Sequence, residues 1–177
     1  MTIQTDYTDT MSRLADRVAT QVAAAYDSWQ AGGITEEQFR AVVEAYLAAA
    51  DNRATALADV ALAMTLTAQR RQAVAPLGLT PPPLDHGPRI GELVAAGAVV
   101  EKWRSYGRGS TLARAQDAYA DAMVERGVPA WTRVLNAGAC ELCQDLAGEV
   151  LPGSARMYHH DGCGCTQRPI TEERETA

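Results

Sequence analysis

Cys140-Glu141-Leu142-Cys143 and, after a spacer, His159-His160-Asp161-Gly162-Cys163-Gly164-Cys165 decide how this chain is read. All four cysteines lie in this stretch, and none occurs in the alanine-rich sequence before it. Two close pairs of soft ligands separated by a loop are what a tetrahedral zinc site requires. Cys140 and Cys143 form a knuckle whose sulfurs reach one ion from a tight turn, and Asn136-Ala137-Gly138 supplies the bend before it. His160 and Cys163 offer a second bite of the same kind, and Cys165 can replace either of them. Five candidates, Cys140, Cys143, His160, Cys163 and Cys165, thus compete for the four places of a closed structural zinc site. His159 and Asp161 are candidates for hydrogen bonds that orient those ligands.

Other chemistries for the cysteines lack their frame. A redox pair at Cys140 and Cys143 needs a thioredoxin-like βαβ unit, which the surrounding pattern does not supply. A catalytic zinc needs an open position and a carboxylate base. Glu141 and Asp145 are near in sequence, but a site filled by thiolates activates water poorly. Neither H-E-x-x-H nor the H-x-E…P-C-x-x-C deaminase pattern is present. Gly107-Arg108-Gly109 is not followed by G-K-[ST], so it is no phosphate loop. His86 reads as a lone loop histidine, and no nucleophile, base and orienter assemble. The chain is therefore expected not to be an enzyme.

Around the cysteines the apolar pattern is that of short strands, Trp131–Leu135, Gly148–Leu151 and Thr166–Ile170. The last is expected at an edge, because Pro169 cannot donate a ladder hydrogen bond. Upstream the period becomes helical. Leu14, Val18, Val22, Ala25, Tyr26 and Trp29 form one stripe, ended by Gly32-Gly33. Thr35-Glu36-Glu37-Gln38 reads as a capping box, with Ile34 as its staple residue. A long second helix follows, through Phe39, Val43, Leu47, Leu57 and Met64, with Arg70 and Arg71 at its C-terminal end. The short link makes an antiparallel hairpin of the two. Pro76 to Pro88 breaks the pattern, and Thr80-Pro81-Pro82-Pro83 must be extended. It is expected to let the two helical pairs separate or wrap a partner. Ile90 to Trp103 suggests a third helix, Tyr106–Gly109 a loop, and Ser110 the cap of a fourth.

The expected fold is mainly α, with a small zinc-stapled β module, α+β as a whole. Residues 1–128 would form a helical domain, with helices at about 8–31, 35–73, 89–104 and 110–126. Residues 129–170 would form the zinc module, and 171–177 a charged, disordered tail. A module this small buries too little apolar surface to fold unaided, so metal binding would supply the deficit.

Composition narrows the function. The chain has 177 residues and is 47% hydrophobic but only 6% aromatic, which favours close helix packing over an aromatic-lined pocket. Its net charge of −6 argues against wholesale nucleic-acid binding. One cluster of cations, Lys102, Arg104, Arg108 and Arg114, is interleaved with Trp103 and Tyr106 and is the candidate contact for nucleic acid or an acidic partner. The start has no basic or apolar leader, and no stretch is apolar enough to span a bilayer, so a reducing cytoplasm and thiolate ligands are expected.

The module then resembles a family. Trp131-x-Arg133, Cys140-x-x-Cys143-x-x-Leu146-x-Gly148 and His160-x-x-Cys163-x-Cys165-x-x-x-Pro169 are similar to the closing module of tailed-phage head morphogenesis proteins, the Mu F-like minor capsid proteins. The family form is roughly C-P-x-C-x-x-L-x-G and H-P-x-C-R-C. This chain departs at Glu141, Asp161 and Gly164 and keeps the ligand positions. The resemblance spans about Trp131 to Ile170. It implies a minor head protein, made in the bacterial host cytoplasm and then carried inside the virion head. Its partners would be the portal and other procapsid proteins, with no small-molecule substrate and no membrane. The alternatives are a zinc module contacting packaged DNA, and a zinc-dependent hydrolase.

Overall fold

The computed structural model describes residues 3–158, 160 and 162–171. Three long helices, α1 (Ile3–Gln30), α2 (Glu36–Arg70) and α4 (Val100–Glu125), pack pairwise on one another, and a short α3 (Gly87–Ala95) lies against α2. A three-stranded antiparallel sheet of β1 (Ala130–Val134), β2 (Val150–Pro152) and β3 (Thr166–Ile170) follows, in the order β2-β1-β3. A five-residue helix, α5 (Glu141–Asp145), sits between β1 and β2. The mainly helical α+β expectation is met. No helix among the described residues is long and apolar enough to cross a membrane.

The capping box forms as the sequence dictates. Gln38 N–H donates to Thr35 Oγ1 at 3.2 Å, and Thr35 N–H donates to Gln38 Oε1 at 2.9 Å. Near the hairpin turn, Trp29 stacks on Phe39 with ring centroids 4.7 Å apart, and the buried Trp103 meets Phe39 edge-on at 4.9 Å. Alanines at 15, 23, 50, 54, 58, 115, 118 and 122 are buried. The small faces are thus consumed in packing α1, α2 and α4 together.

Several boundaries differ from expectation. α1 begins at Ile3 rather than near residue 8, and α2 ends at Arg70 rather than near 73. The break between the third and fourth helices falls at Ala96–Val99, where Gly97 takes φ 61°, and not at Tyr106–Gly109. Tyr106–Gly109 is helix interior, and Ser110 is no cap. Gly107 is there for packing: a Cβ would stand 3.2 Å from Val22 Cγ2 and 3.5 Å from Ala19 Cα. It lets α4 approach α1 closely.

Nor is the proline segment free. Asp59, on the buried face of α2, accepts three backbone N–H groups, from Leu77 at 2.8 Å, Gly78 at 2.7 Å and Leu79 at 3.2 Å. Arg126 bonds the Ala75 carbonyl. These contacts clasp the segment onto the bundle, against the expectation that it lets the helices part.

The boundary expected at residue 128 does not divide the core. Val128, Trp131 and Met157 belong to the same buried cluster as the helices. Side-chain amides from three helices hold the edge strand and the loop before it. Gln4 of α1 donates to the Gln167 carbonyl at 2.8 Å, Gln69 of α2 to the Pro169 carbonyl at 2.8 Å, and Gln116 of α4 to the Cys163 and Cys165 carbonyls at 2.8 and 3.0 Å. The expectation of a disordered tail falls on residues 172–177, outside the described residues.

Candidate metal centre

Cys140 occupies the N-cap position of α5 and Cys143 lies one turn further on, so the two thiols point to one side of the knuckle. The second pair is set by a turn in which Cys163 N–H donates to the His160 carbonyl at 2.9 Å. Gly162, at φ 76°, supplies the left-handed residue that this turn needs. Gln116 fixes the following loop from below through the two cysteine carbonyls.

These devices bring all five predicted ligands together in two overlapping groups, Cys140–Cys143–His160 and Cys143–Cys163–Cys165, with donor atoms within 4.8 Å of one another in each. Either group is able to hold a metal ion. Cys143 Sγ lies 3.7 Å from Cys163 Sγ and 3.6 Å from His160 Nε2, and Cys140 Sγ lies 3.1 Å from the same nitrogen. Tetrahedral zinc, with bonds of about 2.3 Å to sulfur and about 2.05 Å to nitrogen, gives S···S edges of about 3.8 Å and S···N edges of about 3.6 Å. The Cys143–Cys163 and Cys143–His160 separations are close to those edges, and the Cys140–His160 separation is about 0.5 Å shorter. Cys165 differs from the rest: its Sγ contacts Asn136 Oδ1 at 3.4 Å.

Cys140 is exposed, whereas Cys143, Cys163 and Cys165 are buried. A backbone hydrogen bond from Cys143 is the main influence holding the Cys140 thiol below its ordinary pKa. The Cys165 thiol beside it pulls Cys163 down to about 4, and the same pairing pushes Cys165 up. Burial pushes Cys143 up to about 11. Arg133 of β1 directs Nη1 at Cys143 Sγ across 3.7 Å. His159 and Asp161, read as orienting partners, lie outside the described residues.

The basic cluster does not form one surface. Lys102, Arg104, Arg108 and Arg114 all sit on α4, but Arg114 is 6% exposed and faces Asp51. Arg108 is engaged with Asp16 of α1, and Trp103 is fully buried. Lys102 and Arg104 are exposed, but two residues apart on a helix they do not face each other. Helical continuity through Gly107 and Gly109 spreads residues that a loop would have gathered.

Two features escape the sequence reading. His86 is buried, not a lone loop residue. Its Nε2 lies 2.9 Å from Asp51 Oδ2 and its Nδ1 3.2 Å from the Tyr106 hydroxyl. Asp51 is four residues beyond Leu47 on the inward stripe of α2, and a carboxylate there is the signal that a buried partner exists. The second is an open cleft of about 810 Å³ between the ends of α1, α2 and β3. Arg70, Arg71 and Arg168 line it, and none is paired with a carboxylate among the described residues. Compared with family models, with curated proteins and with solved structures, the chain finds no match in any of the three.

Proposed function

We propose that this chain is a structural, non-enzymatic protein of a tailed-phage head, acting in procapsid assembly or DNA delivery, whose C-terminal Cys/His centre binds one zinc ion. The observation that carries the metal reading is the gathering of Cys and His donors in two groups that share Cys143: Cys140, Cys143 and His160 form one, and Cys163 Sγ lies 3.7 Å from Cys143 Sγ. Those four are the proposed ligands, and Cys165 stays a thiol on Asn136. Zinc there ties the α5 knuckle to the loop before β3, and through Gln116 to α4. What supports the head-protein reading is that the same residues stand in the order and spacing of the Mu F-like closing module.

Elemental analysis of protein purified without chelator tests the metal. One zinc per chain is expected, absent from Cys143→Ser and Cys163→Ser but retained in Cys165→Ser. A ratio near zero ends the metal reading. Co-expression with the portal and scaffold proteins of the same genome tests the assembly role: the chain should enter procapsids, and full-length protein left free beside them ends it.

One observation favours a second reading, contact with packaged DNA. The cleft bearing Arg70, Arg71 and Arg168 is the place for it, rather than the α4 cations. If each of these arginines neutralises one phosphate, replacing any one of them with glutamine should lower the salt slope of DNA binding by about 0.9.

A further inference from the structure

Among the described residues, no carboxylate answers the buried cation Arg133. It is 7% exposed on β1, the central strand. Its Nη2 donates to the Tyr158 carbonyl at 2.6 Å, and its Nη1 meets Cys143 Sγ at 3.7 Å. A guanidinium does not lose its proton in a protein, and burying it without an anion is costly. Among the described residues, the sulfur of Cys143 is the group in contact with it that can carry the opposing charge.

We propose that Arg133 is the counter-ion of the metal centre and fixes its charge. The inference rests on the metal reading above. A divalent ion with three thiolates and one neutral imidazole carries a net charge of −1, which one guanidinium cancels. Four thiolates would carry −2 and leave a negative charge uncompensated under the sheet. A monovalent soft ion on three thiolates would do the same. Arg133 therefore selects a divalent ion and the set Cys140, Cys143, Cys163 and His160 over a four-cysteine set. The site has space for the alternative, since Cys165 lies within 4.8 Å of both Cys143 and Cys163. Charge balance decides against it.

A double-mutant cycle on the full chain tests this, with zinc affinity measured by competition against a chromophoric chelator. Arg133→Gln should weaken zinc binding about 10- to 100-fold, the range for groups that hydrogen-bond a ligand. Arg133→Lys should recover most of that affinity. In a Cys140→His background, where two thiolates and two imidazoles leave the centre neutral, the same Arg133→Gln change should cost far less. Equal losses in both backgrounds would mean that Arg133 merely packs, and would overturn the proposal. Unchanged affinity in Arg133→Gln would do the same while leaving the metal reading intact. A wild-type chain that takes up no zinc brings both down. An arm without any arginine variant is the cobalt-loaded wild type: sulfur-to-cobalt charge-transfer intensity matching three thiolates is expected, and intensity matching four overturns the assignment.

Discussion

Removing either end of the Asp51–His86 pair should destabilise the bundle, and the order of the two losses is set by the structure. In His86→Leu the Asp51 carboxylate, its side chain 8% exposed, is deprived of the partner that stood 2.9 Å away. What remains is Arg114 Nε at 3.9 Å, too far for a hydrogen bond. A hydrogen bond to a charged group contributes about 1.5–3 kcal/mol, and the half-buried Tyr106 hydroxyl can turn to solvent or to Ser110. The expected loss is therefore about 3 kcal/mol. Asp51→Leu does more damage. It strands His86 and also Arg114, whose Nε is already without a hydrogen bond and whose only ion pair among the described residues is with Asp51. Breaking a buried pair that leaves a cation uncompensated costs about 3–5 kcal/mol, so a loss of about 5 kcal/mol is expected. Urea unfolding followed by far-ultraviolet circular dichroism would measure both, with the midpoint falling and the slope unchanged. In thermal scans each kcal/mol corresponds to about 2–4 °C for a chain of this size. If Asp51→Leu is as mild as His86→Leu, or if both lose less than about 1 kcal/mol, the network is not what holds the connector and the reasoning is refuted.

Other expectations follow from single contacts. Gly153→Ala places a Cβ 1.7 Å from the Val128 carbonyl oxygen, so the chain after β2 must shift; a loss of at least about 2 kcal/mol in urea unfolding is expected, and a neutral result would contradict the packing there. Cys143→Ser should abolish zinc uptake and expose the segment after Val134 to limited proteolysis while most helical signal survives, because the helices bury their own stripes. In metal-free protein, iodoacetamide should modify Cys140 first at neutral pH, since it alone is exposed and its lowered pKa raises its thiolate fraction; bound zinc should suppress the reaction, and faster labelling at Cys165 would reverse the assignment. Thr35→Ala removes the acceptor of the capping box and should cost about 1 kcal/mol, read as a lower urea midpoint.

Local signals were legible and long-range partners were not. The capping box, the Gly32 turn, the β3 range and its edge position are fixed by neighbours in sequence, and they stand as read. So does the convergence of the five Cys and His ligands, whose spacing within each pair is short. Gly107 misled because glycine carries two meanings: freedom of φ in a loop and absence of bulk in a helix. Only the position of Val22 on another helix tells them apart. Asp51 and Asp59 needed partners 35 and about 19 residues away, in a segment whose prolines suggested only extension. Carboxylates on an apolar stripe were the available hint. Their partners depend on how the connector crosses the bundle, which no local pattern encodes.

The tie between Gln4 and the strand that begins at Thr166 bears on how the chain is made. The Gln4 amide in the first turn of α1 waits for Thr166 and Gln167, made more than 160 residues later. Until then the bundle end beside Tyr7 and Tyr119 lacks Thr166 and Gln167, which line the same small space in the finished fold. Closure has to follow the making of the helices and joins residues at very great sequence separation, the slowest kind of contact to form. A nascent chain stalled before about residue 160 should thus hold its helices and still be sticky, a natural substrate for holdase chaperones. Because Cys163 and Cys165 emerge just before β3, metal capture and strand docking come within a few residues of one another, and the ion can act as the latch on that closure.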